Sequence, residues 1–218
     1  IAASGGVGKV VADWIRDRRP PMDLADVDVR RVVPFQANKR YLHDRTTETL
    51  GLLYAMHWPY YQYATARGAR RTPLHDRLLA AGACMGETAG WERPNWYSTP
   101  GSTPHYEYSY GRQNWFDACR DECAAVRDAV ALFDQTCFAK FIVQGADACS
   151  LLNAMSTGNV DVPPGRIVYT QWLNGRGGVE ADVTVTRLAE DRFLVVTTGT
   201  QTVRDLDWLR RQVPPDAH

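Results

Sequence analysis

Two runs of β-forming residues flank a glycine-rich turn in the C-terminal part of the chain, and this pattern constrains the fold more than any other. The runs cover residues 167–174 and 179–188, and the turn between them is Gly175-Arg176-Gly177-Gly178. A short glycine-containing connection between two such runs is a strong hairpin signal, because glycine adopts the positive φ angles that tight turns require. The sequence therefore predicts an antiparallel β-hairpin here.

Further elements are predicted on both sides of this hairpin from the spacing of apolar residues. Helices are expected at 117–131, 146–155 and 202–211, and strands at 138–144 and 193–198. Because helices alternate with a group of mainly antiparallel strands, the order predicts an α+β fold in which helices cover one face of the sheet.

The N-terminal half has weaker periodicity and many aromatic residues. Prolines 20 and 21 interrupt the helical pattern and mark a boundary. The predicted segments are an amphipathic helix at 7–17 directly after Gly5-Gly6, a mostly helical region at 32–90 with a short helix at 74–81, and an ordered connecting arm at 91–116.

Composition excludes several classes of function. The 25 basic residues balance 25 acidic ones, so the net basic charge that binding to nucleic acid needs is absent. No apolar run approaches the length of a transmembrane helix. The five histidines lack metal-site spacing and no GxSxG motif is present, so neither a metal centre nor a hydrolase is indicated.

The five cysteines are odd in number and contain no CxxC pair, which favours free thiols in a reducing compartment. Cys119 and Cys123 are four residues apart and would share one face of a helix. Without a nearby histidine pair, we expect that face to belong to the core and not to a metal site.

Candidate chemistry lies on the second strand of the hairpin. Strict alternation places Val179, Ala181, Val183 and Val185 on a core face and Glu180, Asp182, Thr184 and Thr186 on the other face. The second face is either a solvated polar surface or a ligand groove. In a groove, the Asp182 carboxylate would be fixed by the strand and could bind an amine or act as a base. Tyr169 on the partner strand, expected opposite Asp182, would stack on a planar heterocycle or simply pack.

A second candidate is the Gly5-Gly6-Val7-Gly8 segment before the first predicted helix. Glycines at a helix N-terminus allow backbone N–H groups to approach an anionic or electron-rich ligand. The same pattern also occurs in plain turns, and no GxGxxG fingerprint is present.

Several blocks, in one order along essentially the whole chain, resemble the sarcosine and dimethylglycine dehydrogenases. The N-terminal blocks of this chain resemble the end of the flavin domain of these enzymes, the middle blocks resemble their central domain, and the last blocks resemble their folate domain. That folate domain is homologous to the aminomethyltransferase of the glycine cleavage system. The blocks are residues 4–9, 12–15, 22–24, 71–78, 90–96, 114–116, 132–136 and 169–182.

The resemblance implies FAD and tetrahydrofolate as cofactors. FAD would oxidise an N-methyl amine, and the one-carbon unit would pass to tetrahydrofolate as 5,10-methylenetetrahydrofolate. It assigns Asp182 as the catalytic carboxylate. Gly5, Gly6 and Val7 would face the flavin. The folate contacts that it implies are Tyr169, Thr184, Phe138 and Thr198, the last standing where the aminomethyltransferase has an asparagine.

The resemblance also implies a division of the chain into the end of a flavin domain at 1–31, a central domain at 32–90 and a truncated folate domain at 91–218. The parent enzyme would act on sarcosine or dimethylglycine, in the cytoplasm of a bacterium or the mitochondrial matrix of a eukaryote. Two alternatives are a folate-dependent aminomethyltransferase or non-redox folate-binding module, and a structural or regulatory paralogue.

Overall fold

The computed structural model describes residues 2–24, 27–99 and 101–218. It contains α-helices and two separate sheets, which confirms the predicted α+β class. The helices are α1 (Ser4–Asp17), α2 (Lys39–Leu52), α3 (His75–Ala80), α4 (Phe116–Asp128), α5 (Ala148–Met155) and α6 (Thr202–Gln212). The strands are β1 (Arg70–Arg71), β2 (Ala83–Thr88), β3 (Trp91–Tyr97), β4 (Ala139–Gln144), β5 (Ile167–Leu173), β6 (Val179–Ala189) and β7 (Arg192–Thr197).

The C-terminal sheet has four strands in the order β4-β7-β6-β5, and every neighbouring pair is antiparallel. The predicted hairpin is confirmed as β5–β6. In its turn, the Asn174 side chain accepts hydrogen bonds from the backbone amides of Arg176 and Gly178, at 2.9 and 3.0 Å. Gly177 adopts a φ of 77°, the conformation for which the turn needs glycine.

One face of this sheet forms the main core against α5 and α6. Trp172 and Phe193 are fully buried there and anchor the contact between sheet and helices. Burial of large apolar side chains supplies most of the favourable free energy of folding in such a layer. The other core residues are Ala139, Phe141, Ala148, Leu152, Met155, Val160, Ala181, Val183, Val185, Val195 and Leu209.

The smaller sheet has the order β1-β3-β2 and is secured by buried ion pairs. Glu92 on β3 accepts hydrogen bonds from Arg67 Nε and from the amide of Gly68, both at 2.7 Å. Arg45 on α2 donates to Glu87 on β2 at 2.6 Å. These contacts attach the irregular segment 53–69 and helix α2 to the β2–β3 hairpin, because a buried carboxylate requires charged partners.

Residues 101–115 belong to the predicted ordered arm, and their aromatic rings pack against the small sheet. Tyr106 and Tyr108 stack at 5.8 Å, and Trp115 meets Tyr106 edge-on at 5.3 Å. Trp96 on β3 lies 6.4 Å from Tyr106. Aromatic pairs at these separations stabilise a segment that has no hydrogen-bonded ladder of its own.

Several expectations along the chain were wrong. The region at 32–90 was expected to be mostly helical but is mixed, because it also includes β1 and β2, and the arm begins with strand β3. The Cys119–Cys123 face is not core, since Cys119 is half-buried and Cys123 is exposed. All five cysteines are free thiols, as the sequence suggested. Helix α1 begins at Ser4, so Gly5 and Gly6 lie inside its first turn and not before it.

Candidate functional site

The uncovered face of the four-stranded sheet brings together the polar residues predicted on β6 and their neighbours. Register pairs Tyr169 with Thr184, and Thr184 with Val196 on β7. Gln171 pairs with Asp182 in the adjacent row. Neighbouring residues of a strand point to opposite faces, so residues two apart share a face. Both rows therefore lie on the face opposite the core. We refer to this face as the open face.

Asp182 is the centre of the polar group on the open face. Tyr169 donates its hydroxyl to Asp182 Oδ2 at 3.1 Å, and Gln171 donates its amide Nε2 to Asp182 Oδ1 at 3.3 Å. Asp182 itself is exposed. The carboxylate is therefore held in a defined orientation by one donor on each oxygen, while solvent and ligands can still reach it.

The contact with Asp182 raises the pKa of Tyr169, because ionisation of the phenol would place a second negative charge beside the carboxylate. Tyr169 therefore stays a hydrogen-bond donor. Tyr169 was expected directly opposite Asp182, and this register was wrong: Tyr169 lies opposite Thr184 and reaches Asp182 diagonally. A diagonal pair on a sheet is within reach of a long aromatic side chain.

The remaining predicted folate residues lie along the same end of the sheet. Thr198 directly follows β7, two residues beyond Val196, and it is exposed. Phe138 directly precedes β4 and is half-buried. By the same alternation, both continue the row of Gln171 and Asp182 across the sheet. The structure thus places the five predicted folate residues on or next to the open face, and their roles stay a prediction.

Glu180 does not belong to the polar group on the open face, although strict alternation predicted it there. A register shift between Trp172 and Leu173 makes Glu180 the extra residue of a β-bulge. Its carboxylate accepts from Asn174 in the turn at 2.9 Å and from Arg204 on α6 at 2.8 Å. The same irregularity leaves Val179 exposed, contrary to its predicted place in the core.

Gln171 is a further residue of this site that was not predicted from the sequence. It is two residues from Tyr169 on β5, so period-two alternation would have placed both side chains on one face. Its amide holds the second oxygen of Asp182.

The predicted flavin-facing glycines lie at the exposed N-terminus of α1. The Val7 amide already donates to the Ala3 carbonyl at 2.9 Å, so Val7 offers no free donor. The amides of Gly5 and Gly6 belong to the first turn, where a helix has no internal acceptors for them. A Cβ on either glycine would meet nothing within 4 Å, so a ligand has open access to this backbone. This location fits an electron-rich flavin edge, whose charge the helix dipole would stabilise.

Across residues 2–24, 27–99 and 101–218, no cluster of three or more His, Cys, Asp or Glu side chains could hold a metal ion. None of the helices in these ranges is long and apolar enough to cross a membrane.

Comparison with protein families identifies two adjacent similarities. Residues 74–218 match the model of the GCVT N-terminal domain, and residues 19–72 match that of the FAD dependent oxidoreductase central domain. The predicted boundaries after residues 31 and 90 differ from these ranges and stay a prediction, since the extent of a family match is not itself a limit between folded units.

Curated relatives share similarity along most of the chain. The chain is 50% identical over 211 residues to 4-methylaminobutanoate oxidase (formaldehyde-forming) of Paenarthrobacter nicotinovorans, covering 97% of the chain and 26% of that protein. It is 30% identical to the mitochondrial pyruvate dehydrogenase phosphatase regulatory subunit of Mus musculus, covering 100% and 25%. It is 35% identical to mitochondrial sarcosine dehydrogenase of Homo sapiens, covering 85% and 23%. The chain thus spans about a quarter of the length of these relatives.

A solved structure supports the assignment of the sheet domain. The glycine cleavage system aminomethyltransferase T from Bartonella henselae matches 68% of this chain and 37% of its own, with a TM-score of 0.54 and 25% identity. The two family models and the relatives agree with the motif order in the sequence. The chain therefore belongs to the sarcosine and dimethylglycine dehydrogenase family, and it carries sequence of an FAD dependent oxidoreductase central domain followed by a GCVT N-terminal domain.

Proposed function

We propose that this chain is part of an FAD-dependent N-methyl amine dehydrogenase that passes the oxidised one-carbon unit to tetrahydrofolate as 5,10-methylenetetrahydrofolate. The pairing of an oxidoreductase central domain with a GCVT domain in one chain carries this proposal. Relatives named as an N-methyl amine oxidase and a sarcosine dehydrogenase support the choice of substrate class. Sarcosine, dimethylglycine and related N-methyl amino acids are the candidate substrates.

In this proposal the two ends of the chain serve different cofactors. Bound FAD supplies the oxidation of the amine. The amides of Gly5 and Gly6 on α1 would face the flavin, and their dipole would favour negative charge on it. Val7 would contribute its side chain only, since its amide is used within the helix.

The open face would hold tetrahydrofolate. Tyr169 and Phe138 offer ring surfaces to a planar heterocycle, and Thr184 and Thr198 offer hydroxyl groups beside Asp182. The Asp182 carboxylate would orient a folate nitrogen and accept its proton as the carbon–nitrogen bond forms. Such a positioned base contributes roughly 10²–10⁴-fold to a rate. Gln171 and Tyr169 would keep both carboxylate oxygens in place for this role.

A second candidate is a folate-binding protein without amine oxidation, either an aminomethyltransferase or a regulatory paralogue. The aminomethyltransferase structure and the phosphatase regulatory subunit among the relatives favour this reading. The match of residues 19–72 to an oxidoreductase central domain argues against a plain aminomethyltransferase, which has no use for that segment.

Flavin reduction distinguishes these candidates. We expect the complete protein that contains this chain to bind FAD and to lose flavin absorbance anaerobically when sarcosine, dimethylglycine or 4-methylaminobutanoate is added. Adding tetrahydrofolate should then convert the released formaldehyde into 5,10-methylenetetrahydrofolate. Absence of flavin reduction by every N-methyl amine, with folate still bound, would establish the second candidate.

The remaining assignments follow from this proposal. The protein would act on a small-molecule amine and would have no nucleic-acid partner. Relatives occur in a bacterium and in mammalian mitochondria. The protein would therefore reside in the cytoplasm of a bacterium or in the mitochondrial matrix of a eukaryote. The division into domains at 1–31, 32–90 and 91–218 is part of the same proposal.

A further inference from the structure

A short segment at residues 156–158 runs alongside β5 at the outer edge of the four-stranded sheet and forms an isolated antiparallel bridge with it. The Thr157 amide donates to the Gln171 carbonyl at 3.0 Å, and the Gly158 amide donates to Thr170 Oγ1 at 2.9 Å. A Cβ on Gly158 would lie only 3.3 Å from Thr170 Oγ1, so a residue without a side chain suits this close approach. The backbone of Thr157 is therefore fixed beside the open face.

The hydroxyl of Thr157 lies among three polar groups of β5. Its Oγ1 lies 3.2 Å from Thr170 Oγ1 and 3.3 Å from Gln171 Oε1. The backbone amide of Gln171 donates to the same oxygen at 3.5 Å. Nε2 of the Gln171 side chain donates in turn to Asp182 Oδ1 at 3.3 Å. A continuous path of hydrogen bonds therefore connects the buried Thr170 to the carboxylate on the open face.

The two ends of this path fix the direction of every hydrogen bond along it. Thr170 is 1% exposed and its oxygen accepts from the Gly158 amide, so its own hydrogen is donated to Thr157 Oγ1. The Thr157 hydroxyl then directs its hydrogen to Gln171 Oε1, which can only accept. The Gln171 Nε2 group consequently faces Asp182, whose carboxylate is the terminal acceptor.

Contacts at both ends of the Gln171 amide restrict a side chain that is otherwise free to rotate about several bonds. Rotation of the amide by 180° would place Oε1 against the Asp182 carboxylate, where two acceptors repel each other. The same rotation would place Nε2, a donor, against the hydrogen of the Thr157 hydroxyl. Thr157 therefore disfavours the orientation of Gln171 that would push the carboxylate away.

We propose that Thr157 is a positioning residue for the transfer of the one-carbon unit to tetrahydrofolate. Its hydroxyl holds the Gln171 amide with Nε2 toward Asp182, and so keeps the carboxylate in the orientation that accepts the folate proton. Thr157 acts only through Gln171 and is assigned no contact with the cofactor. The catalytic consequence rests on the proposed function, whereas the hold on Gln171 rests on the hydrogen bonds alone.

The phenol of Tyr169 provides a spectroscopic test of the hold on Gln171. The hydrogen bond to Asp182 raises the pKa of Tyr169, and a smaller contribution from Gln171 lowers it. In the 218-residue chain, Thr157→Val should release the Gln171 amide and therefore raise the pKa of Tyr169, measured by titration of its ¹³Cζ resonance. The order parameter of the Gln171 side-chain amide should fall at the same time, because a side chain released at one end moves more freely.

Two matched variants separate the hydroxyl from the shape of the side chain. Thr157→Ser keeps the hydroxyl and should retain the original pKa of Tyr169 and the original order parameter of Gln171. Thr186→Val removes a hydroxyl from the open face of β6 without touching Gln171, and it should also leave both values unchanged.

Kinetics of the complete enzyme test the catalytic consequence. Thr157→Val should lower kcat for formation of 5,10-methylenetetrahydrofolate about threefold to tenfold, the range expected for one neutral hydrogen bond. KM for tetrahydrofolate and amine-dependent flavin reduction should be unchanged, because Thr157 contacts neither substrate. Thr157→Ser should restore the rate.

The outcomes separate failure of this proposal from failure of the proposed function. An unchanged Tyr169 pKa, order parameter or kcat in Thr157→Val would overturn the proposal, as would equal changes in Thr157→Ser or Thr186→Val. Absence of methylenetetrahydrofolate formation by the original enzyme would instead refute the proposed function, while the titration would still decide whether Thr157 holds Gln171.

Discussion

The two faces of the four-stranded sheet use alternate residues of the same strands but have different surroundings. On β6, Val183 and Val185 are each 1% exposed beneath α5 and α6. Asp182, between Ala181 and Val183, is exposed on the other face, and Tyr169 beside it is 67% exposed. The covered face contributes stability through apolar burial, whereas the open face keeps an oriented carboxylate accessible. One rigid strand thus serves both purposes.

The comparison predicts that stability depends mainly on the covered face. Phe193→Ala removes a fully buried ring and should lower the free energy of unfolding by about 3–5 kcal/mol. Leu194→Ala, one residue along and on the open face, should cost less than half as much, because Leu194 is only half-buried. Urea denaturation of both variants measures the difference. Equal losses would show that the open face is also part of a core.

A second prediction concerns Asp205, an acid that lies deep on the covered side and is 1% exposed. Burial raises the pKa of Asp205 on α6, although Thr197 donates to it at 2.6 Å and Arg204 lies 3.4 Å away. The folded state therefore holds this proton more tightly than the unfolded state. The stability that this proton contributes is present at low pH and is lost as the pH rises from about 4 through the raised pKa.

Asp205→Asn should remove this dependence. The difference in free energy of unfolding between the original protein and Asp205→Asn, measured in urea from acidic to neutral pH, should fall as the pH rises and then level off. Asp147→Asn serves as a matched acid, since it lies outside the cluster of Thr197, Arg204 and Glu180. A flat or rising difference for Asp205 would show that its carboxyl is ionised in the folded state throughout.

The smallest expected effect on stability is on the open face. Tyr169→Phe removes an exposed hydroxyl and should change the free energy of unfolding by less than about 0.5 kcal/mol. The hydrogen-bonded pair of Tyr169 and Asp182 can also be tested by titration. Asp182→Asn should lower the pKa of Tyr169 toward its ordinary value, because the adjacent negative charge is removed. Titration of the Tyr169 ¹³Cζ resonance measures this, and an unchanged pKa would contradict the hydrogen bond.

The β5–β6 hairpin could be predicted from the sequence because its glycine-rich turn and the period-two alternation of its strands are local signals. The bulge at Glu180 could not be predicted in this way, because the Glu180 carboxylate is held by Asn174 in the turn and by Arg204 on α6, and neither contact follows from the pattern of the strand. That bulge accounts for one of the two residues that separate the predicted partner of Tyr169, Asp182, from its observed partner, Thr184.

The β2–β3 hairpin was missed for a similar reason. Its second strand contains Pro94 and the charged Glu92, which are unusual inside strands. The structure accommodates the proline next to a register shift between Cys84 and Met85, and the carboxylate by its contact with Arg67. The start of α1 was placed too late because Gly5 and Gly6 disfavour helix interiors but are acceptable in a first turn.

Replacement of Asp182 in the complete enzyme tests the central claim that the open face carries the folate chemistry. In Asp182→Ala, amine-dependent flavin reduction should be unchanged, whereas formation of 5,10-methylenetetrahydrofolate should fall by roughly 10²–10⁴-fold and formaldehyde should be released instead. Thr186→Ala, on the same strand and face, is the matched control and should retain coupling. Unchanged formation of methylenetetrahydrofolate in Asp182→Ala would contradict the assigned role of this carboxylate.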